Sequence, residues 1–310
     1  MQNQLLTSFI LLIVLMSFLS VSGQNKTIFL WEKDQLNIPE GFPEEKHDTT
    51  DIIRISRVSN PSMDVYFPSI KNRKDCAIVI CPGGGYRILA WNWEGSDFAK
   101  KLNSEGITAI VLKYRLPYAV DGKIDDTMPM RDALRAIQIV RTNAEEWGLS
   151  EDKIGLMGFS AGGHVASSAG VHFGDQSFLA GINESDVSVR PDFLGLIYPV
   201  ISFDESFSHV GSRTALLGDS PSSEKTEYYS NEKHVNADTP PTFLMHASDD
   251  KGVPVENSLR FYQALVDHKI SAEMHIYPTG GHGFGLGLKN PHLSGWSDLL
   301  ADWILDQTKN

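Results

Sequence analysis

Apolar residues along this chain come in short, nearly unbroken runs separated by amphipathic stretches. The runs at 76–81, 108–114, 154–159, 193–198, 242–247 and 272–277 draw on Val, Ile, Leu, Met and Phe. Such runs predict strands buried on both faces. Between and after them, amphipathic stretches at 95–103, 129–147, 256–267 and 294–306 predict helices, and a run of small residues predicts another at 161–170. Strand and helix in alternation predict an α/β protein, with a mostly parallel central sheet and helices on both faces. Two alternating segments, 52–58 and 63–67, flank Asn60-Pro61-Ser62 and predict a hairpin on an antiparallel edge of that sheet. The rhythm breaks over 201–238, a polar stretch long for a connection and placed after a strand's carboxyl end, where ligands sit in open α/β sheets. It predicts a short cap-like insert. No repeat or Pro/Ser-rich linker divides the rest, so the pattern predicts one domain over 51–310, preceded by an extension at 24–50.

The first residues have a different character. Residues 9–19 form an apolar core too short to span a bilayer comfortably, and the small triplet Val21-Ser22-Gly23 follows. This predicts a signal peptide over 1–23, with the mature chain starting near Gln24 in a secreted or periplasmic location and not inserted in a membrane. An uncleaved membrane anchor is the alternative. Export invites a search for disulfides, yet the chain has 2 cysteines, Cys76 and Cys81, in one strand. Five extended residues separate their Cα atoms by about 16 Å, beyond the ~7 Å reach of a bridge, and point them to opposite faces. The net charge of −12 and the lack of a basic run argue against nucleic acid or an anionic membrane surface as a partner. No His, Cys and Asp cluster has metal-site spacing, and no cofactor is expected.

The densest chemical signal is Gly158-Phe159-Ser160-Ala161-Gly162, between a predicted strand and a predicted helix. This is the setting of a nucleophile elbow, in which a sharp turn lifts a serine hydroxyl out of the sheet. A serine hydroxyl needs a general base, usually histidine, oriented by a carboxylate. In this architecture they follow in the order Ser, Asp or Glu, His. Asp249-Asp250 follows the strand at 242–247, and His282 lies in Gly280-Gly281-His282-Gly283 after the strand at 272–277. Ser160 is the candidate nucleophile and His282 the candidate base, with a loop histidine as the alternative. Successive residues leaving a strand point to opposite sides, so only one of the two aspartates can face His282. An oxyanion needs convergent N–H donors. Ala161 supplies one by its place after the nucleophile, and Pro82-Gly83-Gly84-Gly85-Tyr86 can supply others. That loop lacks the Lys-Ser/Thr or the spacing of a phosphate-binding loop.

Together with Tyr114-Arg115-Leu116-Pro117, Asp132-Ala133-Leu134-Arg135-Ala136 and Gly281-His282-Gly283-Phe284-Gly285, these motifs make the chain from about Asp51 onward resemble the secreted bacterial α/β-hydrolase esterases. It is similar to the acetyl-xylan and other carbohydrate esterases. The resemblance implies the α/β-hydrolase fold, with Ser160 as nucleophile, Asp250 and His282 as its partners, and Gly84, Gly85 and Ala161 as oxyanion donors. Asp250 is preferred to Asp249 because Val253-Pro254 stands at the family's spacing from it; an Asp250 that serves only the turn is the alternative. One departure is Pro82, where the related lipases carry the His of His-Gly-Gly-Gly. The implied activity is hydrolysis of acetyl esters on plant polysaccharide such as xylan, with an acylated carbohydrate or other small ester as substrate. A broader carboxylesterase acting on aryl or feruloyl esters and a catalytically silent binding module stay open on the residues alone. Trp91 and Trp93 can stack on a sugar or simply pack, and Glu94 can contact a hydroxyl or favour a helix N-terminus. Asp132 with Arg131 and Arg135 is expected to form a structural ion-pair network, and His164 to be a packed histidine.

Overall fold

The computed structural model describes residues 26–309 apart from 37, 121–122, 183–185 and 205. The signal peptide predicted for 1–23 lies outside them. The central sheet comprises β1 (Lys26–Phe29), β2 (Ser62–Tyr66), β3 (Ala77–Cys81), β4 (Thr108–Lys113), β5 (Ile154–Phe159), β6 (Leu194–Ile197), β7 (Thr242–Ala247) and β8 (Ala272–Tyr277). Across the sheet they lie in the order β1-β2-β4-β3-β5-β6-β7-β8. From β4 to β8 all neighbours run parallel, and β1 and β2 join antiparallel at one edge.

The helices are α1 (Asp97–Ser104), α2 (Met128–Thr142), α3 (Ala161–His172), α4 (Val210–Leu217), α5 (Ser223–Tyr228), α6 (Glu256–Asp267) and α7 (Trp296–Gln307), with shorter turns between them. The alternation of strand side chains sorts the core into two layers. On one face Val79, Leu156 and Leu196 pack with Ile137 of α2, Val165 of α3 and Phe261 of α6. On the other, Ile80, Met157 and Phe159 pack with Phe98 of α1 and Trp296 of α7. Cys76 and Cys81 fall in opposite layers as free, buried thiols. Parallel strands covered on both faces cannot alternate with polar residues, so the unbroken apolar runs mark them.

Three expectations need correction. The predicted hairpin does not form. β2 pairs with β1 and β4, whereas Arg54–Ser56 lies in a separate small sheet between Lys46–Asp48 and Leu89–Ala90. The 24–50 segment is therefore not a simple extension, since it supplies the edge strand of the central sheet. That strand was hidden because it is short and half polar, and even its Phe29 is 58% exposed. Asp132 does not pair with its helix neighbours. It accepts from Arg115 Nη2 at 2.7 Å and Nε at 3.0 Å, and from Trp31 Nε1 at 2.7 Å. The guanidinium groups of Arg131 and Arg135 lie over the Trp31 ring instead. The 201–238 stretch, predicted as a short cap-like insert, contains α4 and α5.

Candidate active site

The turn from β5 into α3 places Ser160 at φ 52°, ψ −120°, a conformation that non-glycine residues rarely adopt. Backbone bonds to the end of β6 and the segment after it help to hold it there. Ser160 N donates to Ile197 O at 3.0 Å, and Val200 N donates to Ser160 O at 3.0 Å. The flanking glycines are required for close approach: a Cβ on Gly158 would lie 1.9 Å from Gly162 O, and one on Gly162 would lie 2.1 Å from Cys81 O. Local strain at the serine is thus sustained by backbone contacts that only glycine permits.

The loop after β8 brings His282 over this serine. His282 Nε2 is 2.8 Å from Ser160 Oγ, and its Nδ1 is 2.7 Å from Asp250 Oδ2. A carboxylate can only accept, so Nδ1 carries the proton and Nε2 offers its lone pair to the serine hydroxyl. Asp250 is buried, and its other oxygen accepts from Gly252 N and Val253 N, both at 2.8 Å. His246 lies beside it: Nε2 donates to Val253 O at 2.9 Å and stands 3.3 Å from Asp250 Oδ2. Burial alone would raise the Asp250 pKa. Hydrogen bonds from His246 and His282 outweigh it and hold the carboxyl well below the usual carboxylate range. Asp249 faces elsewhere, accepting from Gly280 N at 2.8 Å and Gly281 N at 2.7 Å. The two adjacent aspartates therefore do different things, one holding the histidine ring and the other its backbone loop.

The glycine loop after β3 borders the same cavity of about 560 Å³ as Ser160 and His282. Among the described residues, the N–H groups of Gly84, Gly85 and Ala161 take no protein acceptor. Gly83 N is used differently, donating at 2.8 Å to Glu94 Oε2. Glu94 is buried and its other oxygen accepts from Tyr198 OH at 2.8 Å. Burial pushes its carboxyl pKa up against those two bonds. Tyr114 OH donates to Pro82 O at 2.7 Å, so the proline in the usual histidine position serves as an acceptor that anchors the loop. Tyr86 OH is 2.8 Å from His164 Nδ1, whose Nε2 donates to Tyr229 O at 2.9 Å. His164 is fully buried, and burial lowers its pKa to about 4. It is the packed histidine expected.

Trp91 packs between the two core layers. Trp93 borders the cavity, and its Nε1 donates to Gly283 O at 2.8 Å, beside His282. On the residues alone Trp93 could stack on a sugar or pack, and Glu94 could contact a hydroxyl or favour a helix N-terminus; in the structure both tie down the two glycine loops. The sequence pattern did not mark His209, which also lines the cavity. No motif surrounds that histidine, and its position depends on how the 201–238 segment folds. Among the described residues, no helix is long and apolar enough to cross a membrane, and no group of three or more His, Cys, Asp or Glu could hold a metal ion.

Strand order, a strained serine at the β5–α3 turn, and Ser, Asp and His meeting in that chain order define an α/β-hydrolase. The chain belongs to the BD-FAE family, which matches residues 63–265. It is 37% identical over 238 residues to an acetylxylan esterase of Xylanibacter ruminicola, covering 76% of this chain and 46% of that protein. It is 36% identical over 248 residues to the endo-1,4-beta-xylanase B of Butyrivibrio fibrisolvens, covering 80% of this chain and 38% of that protein. The chain thus spans less than half the length of these curated relatives. The crystal structure of an acetyl ester-xyloside bifunctional hydrolase from Caldicellulosiruptor lactoaceticus matches with a TM-score of 0.75 at 34% identity, over 93% of this chain and 98% of that one.

Proposed function

We propose that this protein is a serine esterase that removes acetyl groups from xylan or its oligosaccharides. The observation that carries this reading is the hydrogen-bonded series Ser160–His282–Asp250, at 2.8 and 2.7 Å, opening onto a cavity bordered by the Gly84-Gly85 amides. The acetylxylan esterase and acetyl ester-xyloside hydrolase relatives support the choice of acyl group and sugar.

In this mechanism Ser160 Oγ attacks the ester carbonyl carbon while His282 Nε2 takes its proton. The carbonyl oxygen becomes an oxyanion that accepts from the N–H groups of Gly84, Gly85 and Ala161; one such donor is typically worth about 10²–10³ in rate. Collapse of the tetrahedral intermediate breaks the bond to the sugar oxygen, which leaves with the proton from His282. Water then gives a proton to His282 and its oxygen to the acetyl carbon, and acetate departs as Ser160 regains its proton. Asp250 keeps the ring in the required tautomer and stabilises the imidazolium.

Acetate release from acetylated xylan, with kcat/KM compared for acetyl and octanoyl p-nitrophenyl esters, tests the reading. The expected result is acetate release and a preference for acetyl, each misfit methylene costing about 1–3 kcal/mol. A preference for octanoyl would point to a lipase-like enzyme, and a folded protein inert on every ester would point to a binding module.

A further inference from the structure

The insert brings to the cavity one polar side chain that the mechanism above leaves unused. His209 precedes α4 as its N-cap and borders the same cavity as Ser160 and His282. Its Nδ1 is held by Ser212, accepting from the backbone N–H at 3.2 Å and lying 2.7 Å from Oγ. A ring nitrogen that accepts a backbone N–H carries no proton, so the neutral ring has its proton on Nε2. Among the described residues, Nε2–H meets no protein acceptor. Burial lowers the ring's pKa, helped by His282 and opposed by Asp250, and favours the neutral form. The result is a fixed, neutral N–H donor at the wall of the cavity.

The ester itself does not need this donor. Its carbonyl oxygen is served by Gly84, Gly85 and Ala161. His209 instead lines the same cavity as His282, and His282 is the group that must hand a proton to the departing sugar oxygen. We infer that His209 is a specificity-determining residue whose Nε2–H donates to an oxygen of the sugar beside the acetylated position. This inference rests on the esterase reading and deepens it, because it makes a hydroxylated leaving group part of what the site recognises. A leaving group without such an oxygen, such as p-nitrophenol, leaves the donor unpaired, and a site built to pair a polar group discriminates against partners that lack one.

The test compares His209→Asn with the unaltered protein on an acetylated methyl xyloside and on p-nitrophenyl acetate. Asparagine is a good N-cap and keeps an acceptor for Ser212 N, while its shorter amide withdraws from the cavity. The ratio of kcat/KM for the xyloside ester over the aryl ester should fall about tenfold. Calorimetric titration of acetylated xylobiose into Ser160→Ala protein, with and without His209→Asn, should show affinity weakened by about the same factor. Equal losses on both esters, which a mere capping role predicts, or equal affinities in the titration, would overturn the inference. Failure of the unaltered protein to cleave either ester, with the affinity difference intact, would sink the esterase reading while the His209 contact stood.

Discussion

Two glycine loops meet at the carboxyl edge of the sheet, and they use glycine for opposite ends. The loop after β3 offers bare backbone, with Gly84 and Gly85 lining the cavity at φ 136° and 64°. The loop after β8 offers a side chain, and its glycines, such as Gly281 and Gly283 at φ 62° and 72°, let the backbone carry His282 over Ser160. Yet both are held by the same device. Each has a carboxylate accepting backbone N–H groups, Glu94 for Gly83 and Asp249 for Gly280 and Gly281. Each also has an aromatic donor on a carbonyl, Tyr114 on Pro82 and Trp93 on Gly283. Trp93 and Glu94 are adjacent, and Tyr198 links Glu94 to Gly285 N at 3.1 Å, so one short segment ties the two loops together. Loops free enough to take these conformations need such anchors to keep the reacting groups in register.

Breaking the histidine's support should cost most. Asp250→Asn should lower kcat by about 10⁴ with the fold intact, because an amide favours the wrong tautomer of His282. Stopped assays on a rapidly hydrolysed acetyl ester would measure it, and a loss below tenfold would remove Asp250 from the mechanism. Glu94→Gln comes next. It disturbs either the Gly83 or the Tyr198 bond and so shifts the oxyanion amides, and kcat should fall about a hundredfold, within the range of a lost oxyanion donor. An unchanged kcat would mean the first loop holds its shape without that carboxylate. Asp249→Ala should cost about tenfold, by loosening the His282 loop. Asp249→Asn should cost less than Asp249→Ala, since its Oδ1 still accepts both glycine N–H groups. A loss for Asp249→Asn as deep as that for Asp250→Asn would contradict the division of labour between the neighbouring aspartates.

The smallest effect concerns the first loop's titratable anchor. Burial lowers the His164 pKa to about 4 from the ordinary 6.5, so between those values the unfolded chain binds a proton that the folded one refuses. Its contribution to stability is complete above pH 6.5 and is lost as pH falls towards 4, at about 1.4 kcal/mol per pH unit. A ring-proton NMR titration should find the midpoint near 4; one near 6.5 would mean the ring is open to water.

What the sequence made legible follows from how local each signal is. The parallel strands and the elbow could be read because burial on both faces leaves continuous apolar runs, and because the turn demands glycine, serine and glycine in five consecutive residues. His282 could be found from its place after a strand, whereas that criterion left Asp249 and Asp250 open and the choice between them came from the resemblance's Val253-Pro254 spacing. The β1 edge strand could not, because its partner β2 lies more than thirty residues on and its own sequence is half polar. Arg115 and Asp132 find each other across 17 residues, from a loop to a helix. Glu94 looked like a helix-terminal charge because nothing local shows that it is buried against Gly83. His209 depends on the fold of a segment whose pattern is weak.

The central claim is that Ser160 is a nucleophile activated by His282. Reaction with a fluorophosphonate, followed by peptide mass spectrometry, tests it most directly. The account predicts one label per chain on Ser160, and greatly slowed labelling in His282→Ala protein. Folded protein that stays unlabelled, or that is labelled at another residue, would contradict it.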